Sequence, residues 1–398
     1  MVGPFGLHPN QTMRSRALKL AKPLVAKGYD VTIFMPPWQT PDEADKTWQE
    51  DGVVLRYVPL QGGTVGITRR LVKEVLGFQP DVVHCFKPKA YSGLVAWWLW
   101  QFHRHKLRIV MDTDDWEGWG GWNDKGDYST TQKHFFAWQE KWGMTHCHAL
   151  TVASRALQSL AWSMGIPQQQ VVYLPNGPGI DVSSGRLSVS KGCSLTEPVP
   201  VHPPTVLIYS RLFEFEPERL VTILQGVKTA VPNTHFLFVG AGLFADDTSQ
   251  LKQQLEAADL LTAVTDVGWI ELEDLPETLC QGDVGIYLME DNLLNRTKCP
   301  VKLADQLALG IPMVGEDVGQ VHEYVVNGRT GILCPSRDND AVTSALVQLL
   351  QNREQRQELS QNASKHIQEN FSWEILAQKL EQVYEQGTGN REQGTLNR

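Results

Sequence analysis

No stretch of this chain approaches the roughly 18 consecutive apolar residues that a membrane-spanning helix needs. The start, Met1-Val2-Gly3-Pro4-Phe5, shows neither a charged n-region nor an apolar h-region, so no secretory signal is read there. The six cysteines (Cys85, Cys147, Cys193, Cys280, Cys299, Cys334) include no CxxC pair. In a chain of 398 residues that excludes a zinc ribbon and a disulfide scaffold. No internal repeat is visible. Basic charge is also short: 36 Lys/Arg face 45 Asp/Glu, for a net charge of −9, which argues against general nucleic-acid binding. The simplest reading is a soluble protein of a reducing cytoplasm.

What is present points to two folded halves. The length suits two domains, and 42% hydrophobic residues suffice for two cores. Residues 1–200 hold 21 Lys/Arg against 17 Asp/Glu, whereas residues 201–398 hold 15 against 28. Eleven of the thirteen tryptophans fall at or before Trp162. A mildly basic, tryptophan-rich first half leaves room for an anionic ligand or an anionic membrane surface. Strand-like runs at Asp30–Met35, Val53–Val58, Asp81–Cys85, Leu107–Asp112, Ala149–Ala153 and Val171–Leu174 alternate with helical patterns. The first of these helices is expected to be capped by Thr12, disturbed by Pro23 and ended by Gly28. The alternation predicts βαβ units around a parallel sheet.

Ser, Gly and Pro dominate residues 181–204, which read as a linker. Strands then resume at Thr205–Ser210, His235–Val239, Ala263–Val267, Val284–Leu288, Pro312–Gly315 and Gly331–Cys334. The expected division is an N-terminal Rossmann-like domain (1–180), the linker, a second Rossmann-like domain (205–370), a helix over 371–386 with an apolar stripe from Trp373 to Tyr384, and a disordered tail (387–398). Only Met1–Gly3 precede the first loop, fewer residues than a central strand normally has, so a few apolar residues are expected to be missing before them.

Several segments carry chemistry. Gly3-Pro4-Phe5-Gly6 precedes the helix bearing Arg14 and Arg16 and is a possible anion cradle, but it lacks the GxGxxG spacing of a dinucleotide site. Asn295–Pro312 gathers Arg296, Lys298 and Lys302 at a helix start, where backbone N–H groups already favour anions. Pro300 is expected at the first helical position, and Asp305 follows Val301 by one turn. Asp112-Thr113-Asp114-Asp115-Trp116-Glu117-Gly118-Trp119 combines carboxylates with indoles directly after a strand. That pairing can grip a sugar's apolar face and its hydroxyls; a divalent metal site or a purely structural turn are its alternatives. His146-Cys147-His148 reads as structure, with a metal pair as the rival.

The segment from Asn295 to Pro312 resembles the signature helix of the retaining, nucleotide-sugar-dependent glycosyltransferases of the group 1, or family 4, type. The likeness continues through Val314–Gln320 and Glu323–Leu333. It includes Pro175-Asn176-Gly177, Ser210-Arg211-Leu212 and Phe371-Ser372-Trp373. The resemblance implies the α/β fold called GT-B: two Rossmann-like domains facing across a cleft, with a C-terminal helix crossing back to the first domain. It implies a metal-independent, hexosyltransferase-type enzyme with no cofactor, a nucleotide-diphosphate sugar as co-substrate, and a role in polysaccharide or glycolipid biosynthesis. The acceptor would be a glycan, a glycolipid or another hydroxyl. The alternative is a catalytically inactive nucleotide-sugar-binding relative.

The resemblance assigns Arg211, Lys302 and His84 to catalysis. Arg211, Trp269, Ile270, Thr297, Lys298, Val301, Lys302, Asp305 and Glu323 become the donor set. Trp269 fits equally a base-reading segment or a core position. Arg14, Lys87, Asp112, Asp114, Asp115 and Trp116 form the expected acceptor set. Three positions depart from the family pattern. Thr297 replaces a glutamate, Phe86 a histidine, and Glu216–Pro217 stand where a lysine usually accompanies the arginine; Arg219 or Lys302 are the candidates to replace that lysine. Because charge builds on the leaving diphosphate, the cations and helix N–H groups are expected to carry most of the catalysis. Two basic groups, Arg69/Arg70/Lys73 and Arg104/Lys106/Arg108, the second following Trp97-Trp98-Leu99-Trp100, suggest peripheral contact with the inner face of a membrane.

Overall fold

The structure is a computed structural model that describes residues 1–9, 12–181, 202–243 and 245–386. Most of the expected linker and the whole expected tail lie outside these residues. The chain forms two compact units. One comprises Met1–Asn176, Thr297–Cys299 and the chain from Trp373; the other comprises Gly177–Arg296 and Pro300–Ser372.

In the first unit, β1 (Thr32–Met35), β2 (Thr47–Glu50) and β3 (Val53–Tyr57) form one group of strands. The second group is β4 (Val82–Phe86), β5 (Arg108–Thr113), β6 (Ala149–Val152) and β7 (Val171–Tyr173), parallel and in sequence order. Val2 bridges to both Phe34 and Cys85 and so joins the two groups. Helices α1 (Lys19–Ala26), α2 (Gly63–Gly77), α3 (Ala90–His103), α4 (Trp122–Lys125), α5 (Thr130–Thr145) and α6 (Arg155–Ser163) connect the strands. Strands such as β1 and β6 are buried at every position because helices cover both faces, which is why they read as unbroken apolar runs.

β2 is an addition to the strands read from sequence. It pairs antiparallel with β3 across Asp51-Gly52, both at positive φ (47° and 84°). An Asp-Gly pair adopts that two-residue hairpin turn readily. The helical run from Met13 begins as a π-helix, passes into α1 at Lys19 and continues through Pro23 to Ala26 instead of stopping there. Thr12 is already helical and makes no side-chain cap, while Gly28, at φ 95°, follows the helix end as expected.

The second unit is a six-stranded parallel sheet of β8 (Thr205–Tyr209), β9 (His235–Val239), β10 (Val264–Asp266), β11 (Val284–Tyr287), β12 (Met313–Glu316) and β13 (Gly331–Cys334). Its order is β10-β9-β8-β11-β12-β13. Strand order reverses between β8 and β11, and in open sheets of this kind ligands settle outside the carboxyl ends of the strands at that switch point. Helices α7 (Pro217–Ala230), α8 (Ala245–Ala257), α9 (Leu275–Leu279), α10 (Leu293–Thr297), α11 (Val301–Ala308), α12 (Val321–Tyr324), α13 (Asn339–Gln351) and α14 (Arg353–Phe371) complete the unit. On one face Leu220, Leu224 and Val227 of α7 meet Leu346 and Leu349 of α13 over Val206, Ile208 and Phe236. Each such side chain contributes about 1.5–3 kcal/mol through burial. Pro300 stands one residue before α11, as its cap, rather than inside it.

The last helix, α15 (Trp373–Glu385), returns to the first unit. Its Leu376, Ala377 and Leu380 join Leu20, Ala21 and Leu24 of α1 in one apolar cluster. The spacing that puts these residues on one stripe is what docks the helix there.

Candidate functional site

In the second unit the switch point is built from backbone that only particular residues tolerate. After β8, Leu212 sits at φ 65°, a conformation costly for a branched side chain. The Ser210 hydroxyl accepts a hydrogen bond from the Leu212 N–H at 2.9 Å and holds that turn. After β9, Gly240 has φ 106°, and a Cβ there would lie 2.7 Å from the Ser210 carbonyl. Glycine is therefore required, and the same empty position lies 3.5 Å from Lys302 Nζ. Gly240 was not singled out in the sequence; the signal was Val239-Gly240-Ala241-Gly242 ending a strand.

Two cations reach this corner. The Lys302 ammonium lies 3.6 Å from the centroid of the Tyr209 ring. Arg211 is half-buried, its Nε is shielded from water, and among the described residues that Nε has no hydrogen-bond partner. A buried guanidinium N–H without an acceptor is unfavourable unless a ligand completes it. Arg219, a candidate to replace the missing lysine, is committed elsewhere. Its guanidinium donates to Glu316 at 2.7 and 3.4 Å, and Glu316, fully buried, also accepts from the backbone N–H groups of Met289 and Arg337. Glu216 is exposed and pairs with Arg337 at 3.3 Å.

The remaining expected donor residues scatter. Asp305 is 2% exposed, and its Oδ1 accepts from the Gly179 and Ile180 N–H groups at 2.6 and 3.1 Å. Its carboxylate thus fixes the chain after Pro175-Asn176-Gly177. Trp269 is 58% exposed, which removes the core reading; it follows Gly268, whose carbonyl accepts from Gly240 N–H at 2.7 Å. Ile270 beside it and Val301 at the start of α11 are half-buried. Glu323 lies in α12, and its carbonyl accepts from His366 at 3.1 Å. Thr297 and Lys298 are counted with the first unit, where the buried Thr297 carbonyl accepts from Ser154 Oγ at 2.7 Å.

In the first unit the expected acceptor residues separate into two networks. Asp112 is fully buried, receives both Nε and Nη2 of Arg16 at 2.7 Å, and accepts from Thr151 at 2.6 Å. Arg16 also donates to Leu174, Pro175 and Asn176. These contacts pin β5 to the segment after β7 and leave Asp112 a framework residue rather than one facing an acceptor. His84 is likewise enclosed. It is 1% exposed, its Nδ1 lies 2.8 Å from the Tyr384 hydroxyl of α15, and its Nε2 lies 3.3 Å from Thr151. Burial, then the positive chain terminus and Arg16, hold its pKa well below the usual histidine value, so the ring is neutral.

The second network lies at the carboxyl ends of β4 and β5. Lys87, at φ 58° and 6% exposed, places its ammonium 2.9 Å from both Asp114 and Glu117 and 3.5 Å from Asp115. Lys89 reaches Glu117 at 2.6 Å and the Tyr128 hydroxyl at 3.3 Å. Burial opposes the Lys87 charge, but Asp114, Glu117 and Asp115 outweigh it and keep the amine protonated. Burial likewise opposes the Glu117 charge, yet Lys87 and Lys89 bring its pKa down to about 2. Asp115 behaves oppositely: burial, with Asp114 and Glu117 nearby, pushes it up to about 6 against the pull of Lys87 and Lys298. Its side chain is 24% exposed, the most accessible carboxyl on Lys87.

Trp116 is packed into its own loop. Its indole donates to the Trp119 carbonyl at 2.8 Å, and a Cβ on Gly118 or Gly121 would strike its ring at 2.4 or 2.5 Å. Trp119, 46% exposed, offers the open ring instead. Arg14 is partly exposed beside His8 and Glu50. Among the described residues no group of three or more His, Cys, Asp or Glu side chains is disposed to hold a metal ion. His148 Nδ1 accepts the Ile109 N–H, and His146 lies against the Trp142 carbonyl.

Two parallel α/β units, the second with a switch-point cradle of glycine, arginine and lysine, define a nucleotide-sugar transferase architecture of the GT-B class. The family comparisons agree. Residues 11–177 match the glycosyl transferase 4-like domain, and residues 203–352 match the glycosyl transferases group 1 domain. The chain belongs to the group 1, or family 4, glycosyltransferases. It is similar to a phosphatidyl-myo-inositol mannosyltransferase of Mycobacterium leprae, at 22% identity over 97% of this chain and 96% of that one. Among solved structures, sucrose-phosphate synthase from Thermosynechococcus elongatus superimposes with a TM-score of 0.68 at 19% identity, covering 98% of this chain and 99% of that one. Anabaena HepE in complex with UDP and glucose gives 0.66 at 15% identity, covering 97% and 98%.

Proposed function

We propose that this glycosyltransferase moves a sugar, with retention of anomeric configuration, from a nucleotide-diphosphate sugar to a hydroxyl of a glycan or glycolipid. The observation that carries the donor assignment is Arg211 at the carboxyl end of β8, whose buried Nε lacks an acceptor among the described residues. A diphosphate oxygen completes it, and Lys302 beside Gly240 supplies the second charge. As the sugar–phosphate bond breaks, negative charge grows on the leaving oxygen, and fixed cations favour that state over the ground state. The leaving phosphate then takes the acceptor's proton, so no protein nucleophile and no catalytic metal enter the step. Trp269, exposed after Gly268, suits stacking on the base.

The acceptor end of this reading rests on Asp115 and Trp119 in the first unit. Asp115 offers a partly exposed carboxyl to a hydroxyl, and Trp119 offers an apolar face. A lipid-linked acceptor is supported by the mannosyltransferase relative, whose name specifies a phosphatidylinositol substrate. Work at the cytoplasmic face of a membrane follows from that acceptor. No helix among the described residues is long and apolar enough to cross a membrane.

A second reading, an inactive nucleotide-sugar binder, draws on Thr297, on Phe86 and on the enclosed His84. A screen of UDP-, GDP- and ADP-sugars by thermal shift, followed by donor-hydrolysis and transfer assays, separates them. Stabilisation with turnover supports the transferase, and stabilisation alone supports the binder. No stabilisation by any nucleotide sugar would overturn the donor site itself. Turnover undiminished by a chelator is part of the expected result.

A further inference from the structure

The helix α5 carries aromatic residues on the side where a surface helix normally carries charge. A capping box between Ser129 and Gln132 starts it, and it buries Gln139, Glu140, Gly143 and Met144. The opposite side presents Phe135, 39% exposed, and Trp138, 45% exposed, with Trp142 half-buried. Their rings form a continuous row: 5.8 Å from Phe135 to Trp138, 6.0 Å to Trp142, then 4.4 Å to His146. His146 passes the row to Trp100 of α3 at 6.0 Å, where the Arg104 guanidinium lies 5.8 Å from the indole. At the other end, exposed Trp119 lies 5.3 Å from His134. By helical rise the α5 part alone spans roughly 16 Å. The inward face already packs the helix, so these rings have another use.

Around the α5 and α3 part of the row the exposed charges are basic, whereas at the Trp119 end Asp124 accepts from the Gly120 N–H at 2.7 Å. Residues 90–108 contain no Asp or Glu, and residues 128–148 contain only Glu140, which is fully buried. Lys106 and Lys141 are exposed. The exposed carboxylates Asp124 and Asp127 precede the helix in sequence. A glycan platform would need acceptors such as carboxylates beside its rings. Indoles and imidazoles among lysines are instead the composition of a surface that settles at a bilayer's headgroup level, where a ring buries its body and keeps its polar edge wet.

We propose that the aromatic face of α5, with Trp100 and Arg104 of α3, docks on an anionic lipid bilayer. This surface takes in part of the second basic group expected from sequence, through Arg104 and Lys106. Arg70 is hydrogen-bonded to the Pro59 and Gln61 carbonyls, Arg108 to the Val383 carbonyl and Arg104 to the Trp100 carbonyl, which fixes these guanidinium groups in place. The proposal uses no donor-site residue and stands or falls separately from glycosyl transfer.

The test is co-sedimentation of the full chain with phosphatidylcholine vesicles with and without phosphatidylglycerol, at low and high salt, alongside intrinsic tryptophan emission. Binding is expected only with phosphatidylglycerol, weakened by salt and accompanied by a blue shift. The F135S/W138S variant is expected to lose roughly tenfold in vesicle affinity, and K106Q/K141Q to lose affinity chiefly at low salt. Both keep the wild-type circular dichroism and nucleotide affinity. No binding of the wild type to anionic vesicles at low salt would overturn the proposal. So would wild-type binding by both variants, or capture of a soluble oligosaccharide by these rings without vesicle binding.

Discussion

The two units handle charge in opposite ways. In the first, two buried networks spend their charges on each other: Arg16 closes on Asp112, and Lys87 and Lys89 close on Asp114 and Glu117, while Arg14 Nε and Glu140 Oε2 are shielded with no hydrogen-bond partner among the described residues. In the second, Arg219 and Glu316 form one such closed pair, but Arg211 keeps a shielded Nε without an acceptor. A closed pair shapes the fold and holds loops in place, whereas an open cation at a strand end awaits an anion. Residue type does not separate the two uses. Arg211 and Arg219 lie eight positions apart in one unit and do different things.

Breaking a closed pair should cost the most. Asp112→Ala leaves Arg16 buried without its carboxylate, and a loss of about 3–5 kcal/mol is expected in urea unfolding. Arg219→Met strands Glu316 and should cost about 3 kcal/mol. Arg211→Met should change stability by no more than about 0.5 kcal/mol. Equal losses for the two arginine variants would erase the distinction.

Asp115 sharpens the contrast through pH. Its folded pKa is raised, from 3.8 to about 6, so its contribution to stability is present below 3.8 and is lost as pH rises through about 6. Asp115→Asn should therefore flatten the fall in melting temperature across that window and raise it above the window. Glu117 has the opposite sign: its contribution is present above 4.5 and is lost as pH falls towards about 2. Glu117→Gln should mainly remove stability at neutral pH. Tyr384→Phe, which removes a hydroxyl from His84, should cost about 1 kcal/mol in the same unfolding measurement, below the loss from either broken ion pair.

Much of the fold was legible because parallel strands covered on both faces are written as short apolar runs, and every strand read this way is present. β2 escaped because it is partly exposed and short, although Asp51-Gly52 announced its turn. The site was less legible. The family resemblance of Ser210-Arg211-Leu212 marked Arg211, and glycine marked turns, but sequence does not say which arginine already has a carboxylate. Arg219 and Asp112 were misplaced for that reason, since their partners lie 97 and 96 positions away. The enclosure of His84 was not legible because its hydrogen-bond partner Tyr384 lies 300 positions on, and burial, then the chain terminus and Arg16, keep the ring neutral. The outward rings of α5 were missed because an aromatic spaced for a helix reads as core until its neighbours are known.

The most direct measurement is calorimetric titration of UDP and GDP into wild type, Arg211→Ala and Asp115→Asn. The account predicts that Arg211→Ala weakens whichever nucleotide binds by at least tenfold, about 1.4 kcal/mol, while Asp115→Asn binds it as the wild type does. Wild-type affinity in Arg211→Ala, or a comparable loss in Asp115→Asn, would contradict the assignment of the open cation to the donor.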